Sequence, residues 1–170
     1  MIPWLAQTDE YAPVYWLPPN RPGPWTAKLN RGDAIELPAG LDQVELLVHE
    51  WALRTPVGTQ SVRSVQMHGL RTLSMASNLS VRVIPADWVL PVTALSGFTL
   101  LEFADRLTLL YREEPASSVF IDDPDQVAAH LEIVRQLRQI ALNPSRSREL
   151  MERIKDEPAP EVVPIDLFPG

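Results

Sequence analysis

Seven residues in this chain have the side chains and settings to do chemistry or to hold a small molecule. His49 closes an apolar stretch and stands two residues before Trp51, and a partly shielded imidazole can exchange a proton near neutral pH. Glu102 lies inside an apolar stretch and Glu113 follows Tyr111 closely; if either carboxylate faced a pocket, desolvation would lift it toward the range of a general acid or base. Trp4, Trp51, Trp88 and Tyr111 could wall an apolar ligand site, since each pairs a broad ring with one polar hydrogen that can orient a bound molecule. Every candidate also has a plainer reading. His49 can be a satisfied structural histidine, alternation turns Glu102 toward solvent, and Glu113-Glu114 before Pro115 simply opens a loop. Five tryptophans in 170 residues is about twice the usual share, and their plain use is to fill core volume or cover a sheet.

Other chemistries find no support. Without cysteine the chain has no disulfide, thiolate nucleophile, iron-sulfur cluster or cysteine-type zinc site. His49, His68 and His130 fall on different expected elements, and His49-Glu50 lacks a second histidine at helical spacing, so no metal site is expected. Neither a glycine-rich phosphate cradle nor a Gly-x-Ser-x-Gly elbow occurs, and no cofactor is implied. Fifteen basic against 22 acidic residues leave a formal charge of -7, which disfavours nucleic acid, whose binding depends on cations displacing counterions. No apolar run approaches the ~20 residues of a membrane span, and the first residues lack the basic and apolar regions of a secretory signal. The expectation is a cytoplasmic protein without membrane partners.

The elements that must position these residues are legible from periodicity. A short helix capped by Thr8 is possible over 8–16, although Pro13 would limit it to about a turn. Residues 17–25, bounded by Trp16 and Trp25, hold four of the 17 prolines and read as a stiff loop or cover strand. Residues 44–49 form a buried strand that 55–58 terminates. A helix over 61–76, capped by Ser61, would turn Val62, Val65, Leu70 and Leu73 inward, with Gly69 weakening it by ~1 kcal/mol relative to alanine. Residues 79–84 alternate as a half-buried strand, 97–103 and 107–112 read as an antiparallel hairpin, and 119–121 can add a strand. Asp123 caps a helix that starts at Pro124 and carries Val127, Leu131, Val134, Leu137 and Ala141 on one stripe. A last helix over 144–155 buries Leu150, Met151 and Ile154. The fold class is therefore α+β, a mixed, mainly antiparallel central sheet with helices packed on it and two C-terminal helices. Residues 1–157 make one domain with an irregular Pro- and Trp-rich entry segment over 1–43, and 158–170 are a Pro-rich tail apolar enough to pack back.

Several fragments in a fixed order resemble the sensor domain that follows the helix-turn-helix of actinobacterial Xre-type, antitoxin-like regulators. They are Pro3-Trp-Leu-Ala-Gln-Thr-Asp-Glu-Tyr-Ala12, Glu50-Trp-Ala-Leu-Arg54 with Val57-Gly58, Gln66-Met67 before Asn78-Leu-Ser-Val-Arg-Val-Ile-Pro85, Gly97-Phe-Thr-Leu-Leu-Glu-Phe103, Tyr111-Arg-Glu113, Phe120-Ile-Asp-Asp-Pro-Asp-Gln-Val127, and Leu137-Arg138 through Ser147. The resemblance implies a mixed α and β domain that senses a ligand or protein and controls an attached DNA-binding module, here without that module; it supplies no catalytic residues. Trp4 stands where the family has glycine, Pro13 where it has arginine, and 87–95 are bulky where it has a glycine-containing turn. The expected function is a stand-alone domain that binds a hydrophobic small molecule or a protein partner and does not bind DNA. The alternatives are a cofactor-free cyclase or isomerase of polyketide-type natural-product biosynthesis with a Trp-lined pocket, and an antitoxin-like protein that caps a small toxin. A homodimer is compatible with any of these.

Overall fold

Strands β1 (Val44–His49) and β2 (Leu79–Ile84) lie parallel in a computed structural model that describes residues 2–3, 6–11, 43–90, 94, 97–104, 107–114 and 117–158. Trp4, Trp16, Trp25, most of the expected helix over 8–16 and nearly all of the tail fall outside the described residues. The two strands pair in register from Val44 opposite Leu79 to His49 opposite Ile84. Between them run α1 (Glu50–Arg54) and α2 (Gln60–Leu73). A parallel pair is covered on both faces, and alternation assigns the residues. Leu46, Val48, Val81 and Val83 join the main core, to which α2 contributes Met67 and Leu70 and the last helix Met151 and Ile154. Leu47 and Ile84 point the other way, toward Leu137 and Ala141.

Strands β3 (Thr99–Glu102), β4 (Thr108–Glu114) and β5 (Ser117–Ile121) make a second, antiparallel sheet in that order. The α+β class and the antiparallel majority agree with the sequence, while the strands divide between two sheets. Helix α3 (Pro124–Ile140) then contacts β3 and β4, and α4 (Pro144–Asp156) packs on α2 and β2. Both helices begin with a proline after a side-chain cap. Asp123 Oδ1 accepts from Gln126 N at 3.0 Å and Asn143 Oδ1 from Arg146 N at 2.9 Å.

One element is added and two expectations need correction. Residues 50–54, to which periodicity assigned no element, form α1 directly after β1, because His49 caps it and Glu50 and Arg54 pair at helical spacing. The cap of α2 is Thr59 and not Ser61, since Thr59 Oγ1 accepts from Val62 N. Strand β4 runs through Glu113 and Glu114, where a loop was expected, because their backbone pairs with Ser118 and Ser117. The inward stripe of α2 also differs. Val65 is exposed, and Arg63 and Gln66 are buried beside Met67, Leu70 and Leu73.

Polar side chains join the layers. Gln66 Oε1 accepts from Thr8 N at 2.8 Å and Gln66 Nε2 donates to Ala6 O at 2.6 Å, so one amide holds the first residues against α2. Arg82 Nε donates to Leu142 O at 3.0 Å and its Nη2 to Arg138 O and Ala141 O at 2.8 and 2.9 Å, satisfying carbonyls where α3 ends. Beyond β2, Leu142 N donates to Val83 O and Ser147 Oγ accepts from Val83 N, so that edge of the pair has acceptors and donors supplied.

Candidate functional site

The carboxyl ends of β1 and β2 diverge into α1 and into the turn after Pro85, and a cavity of about 580 Å³ opens between them. This size suits a small organic ligand, for which pockets run to several hundred Å³. Leu47, Ile84 and Leu137 form its floor, continuing the second core cluster. His49, Trp51, Trp88 and Phe98 stand around it, with Leu90 and Val134 between, and Pro3 of the first segment reaches the rim.

His49 is built into the frame of this cavity. Its Nδ1 accepts from Trp51 N at 3.2 Å, which makes it the N-cap of α1. Nδ1 must be unprotonated to do so, and Nε2 then carries the hydrogen and donates it to Trp88 O at 3.2 Å. Both ring nitrogens are engaged, so the imidazole sets the spacing of two tryptophan backbones and leaves no free nitrogen for proton transfer. Trp51 and Trp88 themselves are substantially exposed and bring apolar ring surface to the cavity mouth.

Glu50 is a positioning residue that sequence reasoning did not single out. Its buried carboxylate accepts from Arg54 Nε at 2.7 Å and from Ala86 N at 2.9 Å, tying α1 to the turn after β2. Arg54 also binds Glu157, and the hydrogen bonds it donates to Glu157 and then to Glu50 hold its guanidinium above the ordinary arginine pKa. On the far side of Trp51 lies a smaller cavity of about 360 Å³, lined by Arg54, Arg63 and Glu157 as well as by Trp51, Thr55 and Pro158. Trp51 and Thr55 belong to both walls.

The other sequence candidates lie elsewhere. Tyr111 sits in β4 at 7% exposure, with its ring 4.9 Å from that of Phe120, and does not line the cavity. Glu102 is exposed at the end of β3, as alternation implies. Glu113 belongs to β4 with its side chain outside the description, and Trp4 is outside it altogether. The structure thus brings together His49, Trp51 and Trp88 and separates them from Tyr111 and Glu102. Phe98, Leu90 and Val134 were missed as lining. Val134 carried a signal in the helical stripe it shares with Leu137; Phe98, packed edge-on 4.8 Å from the His130 ring, carried none. Among the described residues no three His, Cys, Asp or Glu side chains gather as a metal site, and no helix is long and apolar enough to cross a membrane.

A family model described as Domain of unknown function (DUF5753) matches residues 1–153, and the chain belongs to that family, which is associated with Xre-type regulators. No curated protein and no solved structure matches the chain.

Proposed function

We propose that this DUF5753 chain is a binding domain of regulator descent whose ligand is a small hydrophobic molecule held at the carboxyl ends of β1 and β2. The observation that carries the reading is the convergence of His49 and Trp51 with Trp88, distant from them in sequence, on one cavity of about 580 Å³ with an apolar floor. Binding accounts for this site better than proton-transfer chemistry. Among the described residues His49 is the cavity's one ordinary acid-base group, and both its nitrogens are occupied. A cyclase working there would have to rely on shape and orientation.

The test is fluorescence titration with 1-pyrenebutanol, a neutral apolar probe. Covering an indole removes apolar surface worth about 1.5–3 kcal/mol from water, so Trp51→Ala and Trp88→Ala each weaken binding by roughly tenfold or more. Leu131→Ala, on the exposed side of α3, leaves it unchanged. No binding, or equal binding by the two tryptophan variants and the parent, overturns the reading.

A second reading, a protein partner, is favoured by one observation: Phe103, Leu107 and Phe120 expose apolar surface on one face of the antiparallel sheet and its hairpin. An antitoxin-like complex or a homodimer would use this surface and not the cavity. Sedimentation of the chain alone across a concentration series distinguishes a dimer, and Phe120→Asp dissociates it if this surface is the interface.

A further inference from the structure

We propose that the smaller cavity beside Trp51 is the anion subsite of the same ligand site, with Arg63 as its charge, so that the ligand is an amphipathic carboxylate. The inference rests on the reading of the larger cavity as a ligand site and specifies what that ligand carries at one end.

Arg63 is 4% exposed and brings a cationic, planar guanidinium into the interior. Its Nη2 donates to Ile154 O, a carbonyl near the end of α4, while Nε and Nη1 are buried without a hydrogen-bond partner among the described residues. A helix C-terminus offers only partial negative charge. The carboxylate that shares this cavity, Glu157, pairs with Arg54, and Arg54 is further matched by Glu50. Among the described residues Arg63 therefore has no carboxylate partner. Burying a cation with two donors unsatisfied is strongly unfavourable, more so than leaving neutral donors unmade. Nε and Nη1 are themselves covered, so a carboxylate in the cavity supplies the missing charge directly and the missing acceptors once the Arg63 side chain turns toward it.

The same surroundings limit the anion. One unmatched guanidinium faces a cavity whose wall includes Glu157, so a single negative charge is balanced and a dianion is repelled. Trp51 and Thr55 line both cavities, so a molecule with its apolar body over Leu47 and Ile84 passes Trp51 to place its acid group near Arg63. The formal charge of -7 works against general attraction of anions, so any preference for an acid must be local.

The experiment compares 1-pyrenebutyrate with 1-pyrenebutanol, the same apolar body with and without the charge, by pyrene fluorescence on the full chain. The parent protein binds the acid about tenfold or more tightly than the alcohol, the scale of hydrogen bonding to a charged group. Arg63→Gln brings the ratio of acid to alcohol affinity close to one, and Arg63→Lys keeps part of the preference. Equal affinity for both probes in the parent protein, or a preference that survives Arg63→Gln, overturns the anion subsite while leaving the apolar site standing. If neither probe binds, both readings fall together. Should Arg63→Gln not fold because α4 loses its Arg63 contact, the parent ratio and Arg63→Lys still decide.

Discussion

Replacing Gly69 by alanine sets helix propensity against packing, and the structure says packing wins. In the interior of α2 the change should stabilise by about 1 kcal/mol on propensity alone. An alanine Cβ at this position would, however, meet Thr8 Cγ2 at 2.9 Å, well inside the roughly 3.5–4.0 Å of a favourable carbon contact. Thr8 cannot readily yield. Its N–H is held by Gln66 and its Oγ1 accepts from Tyr11 N at 3.3 Å, so turning its β-branched side chain breaks the second bond and moving its backbone breaks the first. Overpacking of this kind costs about 1–3 kcal/mol, and Gly69→Ala should therefore lose about 1 kcal/mol net. Thr8→Ser removes the methyl and keeps the hydroxyl. In that background the same change should gain its ~1 kcal/mol, so the coupling between the two positions is about 1–3 kcal/mol. Urea unfolding of the four proteins, followed by circular dichroism, measures it. Equal stabilisation by Gly69→Ala in both backgrounds would refute the close approach of the first segment to α2.

Two further outcomes are expected. Arg82→Met should lower stability by about 2–4 kcal/mol in urea unfolding, because several carbonyls at the end of α3 lose a charged donor, and Arg82→Lys should not restore it, since an ammonium cannot reproduce the planar fork. The Glu132 carboxyl, held down to about 2 by hydrogen bonds from Arg135 and then Gln136, contributes stability that is present above its ordinary 4.5 and is lost as pH falls through about 2. The pair is exposed, so the effect is small and weakened by salt. An NMR titration of this carboxyl should find a midpoint below the ordinary 4.5, and Arg135→Gln should return it toward that value.

The elements with simple periodicity were legible in the sequence: β1, β2 and the Asp123-Pro124 start of α3 stand where alternation and capping place them. The inward face of α2 was not. Its stripe carries Arg63 and Gln66, which a hydrophobic pattern assigns to solvent, and they turn inward because Ile154 O, Thr8 N and Ala6 O wait for them. Those partners lie 58 to 91 residues away and leave no local trace. The short helix α1 was hidden for a related reason: five residues show little period, and what marks them is a cap and the Glu50–Arg54 pair. For the site, residue type picked out His49, Trp51 and Trp88, and only the parallel register of β1 and β2, which places His49 opposite Ile84, explains why they meet. Tyr111 has the same chemistry on a different sheet.

The Gln66 amide has a thermodynamic consequence beyond its two hydrogen bonds. The segment it holds includes Pro3, and Pro3 stands at the rim of the larger cavity. A molecule that touches Pro3 is bound by the docked chain and loses that contact when the segment detaches. By linkage, occupancy and docking then favour each other by the same factor, whichever is varied. Residues 6–11 are in that sense a reporter, and their amide exchange rates would read the occupancy of a ligand that touches Pro3.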